Sequence, residues 1–202
     1  MSEAALDAPR ETARYTIVAV ILHWTMAVLL TMQIFGGWTM TDEATPRAQA
    51  FQMFQLHKSF GFTILALSFV RLAWRILNPP PAAPEGMPGW QKTISELTHF
   101  GFYVLMIGIP LSGWIMISTA PYTVTTMWFG LFEIPKVAAL SGLDAAAKKI
   151  WNEAAGSAHS ALVWGTIGLW ALHVGAALKH HIIDRDDVLT RMIPFLKPLS
   201  RR

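Results

Sequence analysis

The sequence predicts an all-α integral membrane protein, a four-helix bundle with both termini on the cytoplasmic side. Three observations carry that expectation. Of 202 residues, 53% are hydrophobic and 14% charged, where a soluble domain carries about 25% charged. Four apolar runs are each long enough to cross a bilayer, which takes about 20 residues. The basic residues are unevenly shared between the two sides these runs would define. Eleven of the sixteen Lys and Arg fall in the N-terminal segment, the second connection and the C-terminal tail, and five in the first and third connections. An excess of Lys and Arg marks the cytoplasmic face.

The first span covers about residues 15–37. The uncharged run that overlaps it, residues 16–41, is longer than the core of a signal peptide. The second covers about residues 54–77, with Arg71 and Arg75 near its end, where arginines reach the interface. Asn78-Pro79-Pro80-Pro81 stops it, since proline lacks the N–H donor and restricts the residue before it. The third runs over about residues 97–118 and is expected to kink at Pro110. The fourth runs over about residues 154–178. The connection over residues 119–153, rich in Trp, Phe, Gly and Pro, is expected to lie on the membrane surface. Its short amphipathic stretch at residues 144–151 caps the bundle, with Trp128 and Trp151 at headgroup level. The chain thus divides into a polar extension (residues 1–14), the transmembrane bundle (15–185) and a basic tail (186–202). A net charge of +3 without a basic tract gives no reason to expect nucleic acid.

Four histidines lie inside these spans: His23, His57, His159 and His173. Ionisable side chains at membrane depth are costly and mark functional sites by default. His159 and His173 are fourteen residues apart, close to four turns, so they leave one helix on nearly the same face about 21 Å apart. Depth pairs His23 with His173 near the cytoplasmic side and His57 with His159 near the opposite side. A lone histidine in an apolar helix is more often a hydrogen-bonded core residue than a ligand. Four at paired depths, two of them in phase, reverse that preference. Two imidazoles per site, with no cysteine in the chain, suit haem iron better than zinc, which wants three or four protein ligands. The absence of cysteine also excludes iron–sulfur clusters and covalent c-type attachment. The expectation is two b-type haems. Arg71 and Arg75 are candidate propionate contacts or simple helix anchors. His99 suits a structural role or a propionate contact.

Four blocks in order resemble the bacterial cytochrome b561 family over nearly the whole chain. They are RYTIVAVILHW at 14–24, HKSFGFTILALSFVRLAWRILNPPP at 57–81, PLSGW at 110–114 and LHVGAALKHHIIDRDDVLTRMIP at 172–194. The resemblance implies a diheme b-type cytochrome of the inner membrane with these four histidines as axial ligands. It further implies electron exchange with ubiquinone and an activity like that of a superoxide oxidase, with superoxide donating at the periplasmic face. Lys58, beside His57, would favour capture of a small anion. Arg14, Lys179, His180 and His181 are candidate quinone contacts at the apolar–polar border. The sequence departs from relatives in its extended polar N-terminus and in SAHSA at 157–161, where many place an acidic residue beside the histidine. Two other classes stay open at this point. One is a haem-bearing anchor that relays electrons between quinone and a separate dehydrogenase. The other is a histidine-lined metal or proton transporter, for which the spans offer few polar residues.

Overall fold

The computed structural model describes residues 14–84, 86–122, 125–193, 195 and 196. Most of the polar N-terminal extension and the last residues of the basic tail lie outside the described residues. Four long helices make the bundle: α1 (Ile17–Thr41), α2 (Arg47–Leu77), α3 (Gly89–Thr119) and α5 (Ala145–Lys179). All four are long and apolar enough to span a membrane. The fold class is as expected, but α2, α3 and α5 start seven to nine residues earlier than the apolar runs alone suggest. Their opening two turns carry charged and polar residues, so hydropathy could not mark them, yet the caps could. Thr16 accepts from the Ala19 N–H and Asp144 from the Ala147 N–H, closing the first turns of α1 and α5. Pro46 and Pro88 precede α2 and α3 with φ near −57°, a value that feeds directly into a helix.

The connection over residues 119–153 differs from the expected surface cap in two ways. Residues 144–151 are no separate amphipathic piece; they are the N-cap and first turns of α5. Ahead of them stand a two-stranded hairpin, β1 (Met127–Trp128) and β2 (Phe132–Glu133), and one turn of helix, α4 (Ala138–Ser141). The hairpin docks on α2. Ser59, 2% exposed, bonds the Met127 carbonyl and the Phe129 N–H through its hydroxyl, each at 3.0 Å. Trp128 donates to Thr63 Oγ1 at 3.1 Å, so its indole is tied to α2. Trp151 is exposed on α5.

Backbones approach most closely between α3 and α5, then between α1 and α2, then between α2 and α3. Met26, Ile64 and Met106 form the small buried centre where α1, α2 and α3 meet. Neither α1 nor α2 packs its backbone closely on α5. Those two seams are crossed instead by side chains, including Trp38 with Trp164. At its end α5 loosens into a π turn (His180–Asp184), closed by Arg185 at φ 52°. The following residues fold back on the bundle, and the Met192 carbonyl accepts from the Trp24 indole at 2.9 Å.

Candidate haem-binding site

The two unpacked seams are where the membrane histidines meet. His23 on α1 faces His173 on α5 with ring centroids 6.2 Å apart. His57 on α2 faces His159 on α5 at the same 6.2 Å. The ring planes are inclined at 59° and 61°. Metal–imidazole bonds run about 2.0–2.1 Å and the ring nitrogen sits about 1.1 Å from its centroid, so two rings clasping one metal lie about 6.3 Å apart. Both pairs match that separation. Each joins helices whose backbones stay apart, leaving room for a flat macrocycle between them. The residues therefore fit a haem at each pair. The depth pairing read from the sequence is the pairing the fold makes.

The surroundings of the four rings differ. Arg71 crosses from α2 to α1, with Nη1 3.2 Å from the Ala19 carbonyl and Nη2 3.2 Å from His23 Nδ1. It lines a small pocket together with Tyr103. A guanidinium can only donate, so Nδ1 is the acceptor in the unligated His23 ring. An imidazole that ligates through Nε2 instead carries its hydrogen on Nδ1. Metal ligation at His23 would thus release Arg71 towards an acceptor, such as a propionate at the mouth of the same seam. Arg75 sits one turn further along and lines the adjoining pocket with Tyr15, Trp74 and Asn78. Near the other pair, Gln33 of α1 donates to the His57 carbonyl at 2.8 Å, and Gly37 leaves His57 room. A Cβ on Gly37 would stand 3.7 Å from His57 Cε1.

His99, left open by the sequence, comes to the His23–His173 pair. Its ring lies 5.7 Å from that of His173. It also lines a second cleft, of about 360 Å³, between the end of α2 and the start of α3, together with Arg75, Ile76, Glu96, Phe100 and Tyr103. The residues marked as quinone contacts are not gathered there. Lys179 and His180 are engaged with acidic neighbours, Lys179 with Asp184 at 2.6 Å and His180 with Asp186 at 2.6 Å. His181 neighbours this cluster, and Arg14 stands exposed at the start of α1. Lys58 is half-buried beside His57, whereas Lys149 pairs with Glu153. Sequence reasoning missed Gln33 and Ser112. The block PLSGW pointed at the second of these without giving it a role.

Comparison with known proteins agrees with this geometry. The family model for prokaryotic cytochrome b561 matches residues 14–195. Cytochrome b561 homolog 2 of Escherichia coli K12 is 31% identical over 185 residues, covering 89% of this chain and 91% of that protein. Cytochrome b561 homolog 1 of the same organism is 28% identical, covering 90% and 97%. A protein named Probable superoxide oxidase CybB, from Yersinia pestis, is 25% identical, covering 90% and 96%. A cross-membrane bundle with two matched imidazole pairs and a family match along nearly its whole length places this chain in the prokaryotic cytochrome b561 family, the membrane b-type cytochromes of bacteria.

Proposed function

We propose that this protein is a diheme cytochrome that moves electrons across the bacterial inner membrane from a periplasmic donor, superoxide, to ubiquinone. His23 and His173 hold one haem and His57 and His159 the other. The observation carrying this reading is the pair of 6.2 Å imidazole separations across the two open seams of α5. Bound there, each haem would supply a one-electron carrier held by two imidazoles. The chain does the rest. The α5 rise sets the two centres about 20 Å apart along the axis.

The excess of Lys and Arg puts both termini in the cytoplasm, so the His57 end faces the periplasm. Lys58 adds positive charge there, which raises the local concentration of a small anion. At the opposite end Arg71 and Arg75 favour the more electron-rich state, biasing flow inward. The quinone head fits the cleft of about 360 Å³ between α2 and α3 better than the Lys179–His180 cluster. Ile76 and Phe100 are 71% and 67% exposed and make a lipid-facing apolar mouth. His99, Glu96 and Arg75 offer polar partners inside it, the usual balance of a small-molecule pocket.

The deciding experiment uses the purified holoprotein alone. Superoxide should reduce its haems, and added ubiquinone should reoxidise them. Ile76→Trp, which fills the cleft mouth, should raise the KM for quinone about tenfold with haem content unchanged. Haems that superoxide reduces only after a dehydrogenase is added would assign the chain to the relay class instead. A colourless protein would remove the haem reading altogether.

A further inference from the structure

We propose that Ser112, with the Ile109 carbonyl, is the positioning residue that presents His159 to its metal. The inference rests on His159 being a haem ligand. Ser112 belongs to α3, a helix that carries none of the four paired histidines, and it is 6% exposed. Its hydroxyl donates to the Ile109 carbonyl at 2.7 Å and lies 3.0 Å from His159 Nδ1. The same Nδ1 lies 3.1 Å from the Ile109 carbonyl. A carbonyl oxygen can only accept. Nδ1 must therefore carry the hydrogen, shared between two oxygens one helical turn apart. That fixes the tautomer and leaves the Nε2 lone pair for a metal. Gly113 completes the seat: a Cβ there would stand 3.6 Å from His159 Cε1, so the ring lies directly over the α3 backbone.

The other rings have no such arrangement among the described residues. His57 Nδ1 is buried with no hydrogen-bond partner, and His23 Nδ1 faces a donor-only guanidinium. His159 is thus the pre-set member of its pair, and α3 contributes to a site for which it supplies no ligand. A second partner on the distal nitrogen holds ring orientation and raises ligand basicity, and its removal costs about 10–100-fold in metal affinity. Removing the Ser112 oxygen should weaken His159 as an electron donor to iron, which favours the reduced metal and raises the potential of that one haem.

The test compares Ser112→Ala with Ser112→Thr in the full-length holoprotein. Transfer of haem to a scavenging apoprotein should become about tenfold faster for one haem of S112A and stay at the wild-type rate for the other. The midpoint potential of the labile haem should rise and its neighbour's should not move. S112T, which keeps the hydroxyl, should restore both readouts. In a His23→Ala background, the haem that remains should be the sensitive one. Equal changes at both haems would reduce Ser112 to ordinary packing, and no change at either would also overturn the proposal. Should S112A fail to accumulate, Ser112→Cys, near-isosteric but a weaker hydrogen bonder, replaces it with the same outcomes. A wild-type protein without two haems would instead sink the underlying ligand assignment.

Discussion

Replacing Arg71 by leucine should lower the midpoint potential of the His23–His173 haem and leave the other nearly unmoved. Even before any move towards a propionate, the guanidinium stands 3.2 Å from His23 Nδ1, which would place its charge about 7 Å from a metal on the far nitrogen, given metal–imidazole bonds of about 2 Å. At that distance, with an effective dielectric of about 20, a unit charge stabilises an added electron by about 2 kcal/mol. For a one-electron couple that corresponds to a fall of about 100 mV when the charge is removed. The second centre lies about 20 Å further off, where the same charge contributes only about a quarter as much. Losing a cationic partner for a propionate would add to the fall, since the signs agree. Arg71→Lys keeps the charge but not the fork, and should recover most of the loss. The assay is a potentiometric titration followed on the visible haem bands. A rise, an equal fall at both centres, or no shift in R71L would refute the electrostatic bias assigned to this end of the bundle.

His57→Ala should take the haem content from about two to about one per chain in a pyridine haemochrome assay, with the R71-sensitive haem retained. Gly37→Val places a branched side chain where a Cβ alone already stands 3.7 Å from His57 Cε1; the same haem should be lost or weakened, while Gly36→Val, with open space around it, should leave haem content unchanged. Ser59→Ala strands the Met127 carbonyl and the Phe129 N–H under the hairpin, a cost of about 1–3 kcal/mol. Thermal unfolding in detergent should show it as a lower Tm with unchanged haem content.

The bundle and the histidine pairs were legible because their signals are periodic and local. Apolar runs of membrane length name their own helices, and fourteen residues between His159 and His173 fix a shared face without any tertiary knowledge. The opening turns of α2, α3 and α5, with their charged and polar residues, were invisible to hydropathy. So was the hairpin at Met127–Glu133, whose two-residue strands are too short to show an alternating pattern; its left-handed Phe129 and Gly130 depend on docking against Ser59 and Phe60. Arg71 could be read as sitting near a haem edge, but not as reaching His23 and Ala19, because its partners are 48 and 52 residues away. His180 looked available in sequence because Asp184 and Asp186 are equally consistent with a solvated tail. The π turn brings them onto it. Ser112 is the clearest case of a residue beyond sequence reading. A serine in an apolar helix ordinarily bonds its own preceding carbonyl, and nothing local says that a ring from α5 rests on the same oxygen.

One helix provides half of every imidazole pair, and this makes the stretch from His159 to His173 a ruler with a fixed count. Adding or deleting one residue inside it would turn one ring about 100° away from its mate, and no repacking of side chains could bring it back. Seven residues, close to two full turns, could be inserted with both directions preserved, but would carry one ring about 10 Å along the axis from the depth of its mate. Substitutions between the two histidines leave this spacing intact, whereas insertions or deletions alter the direction of a ring, its depth, or both.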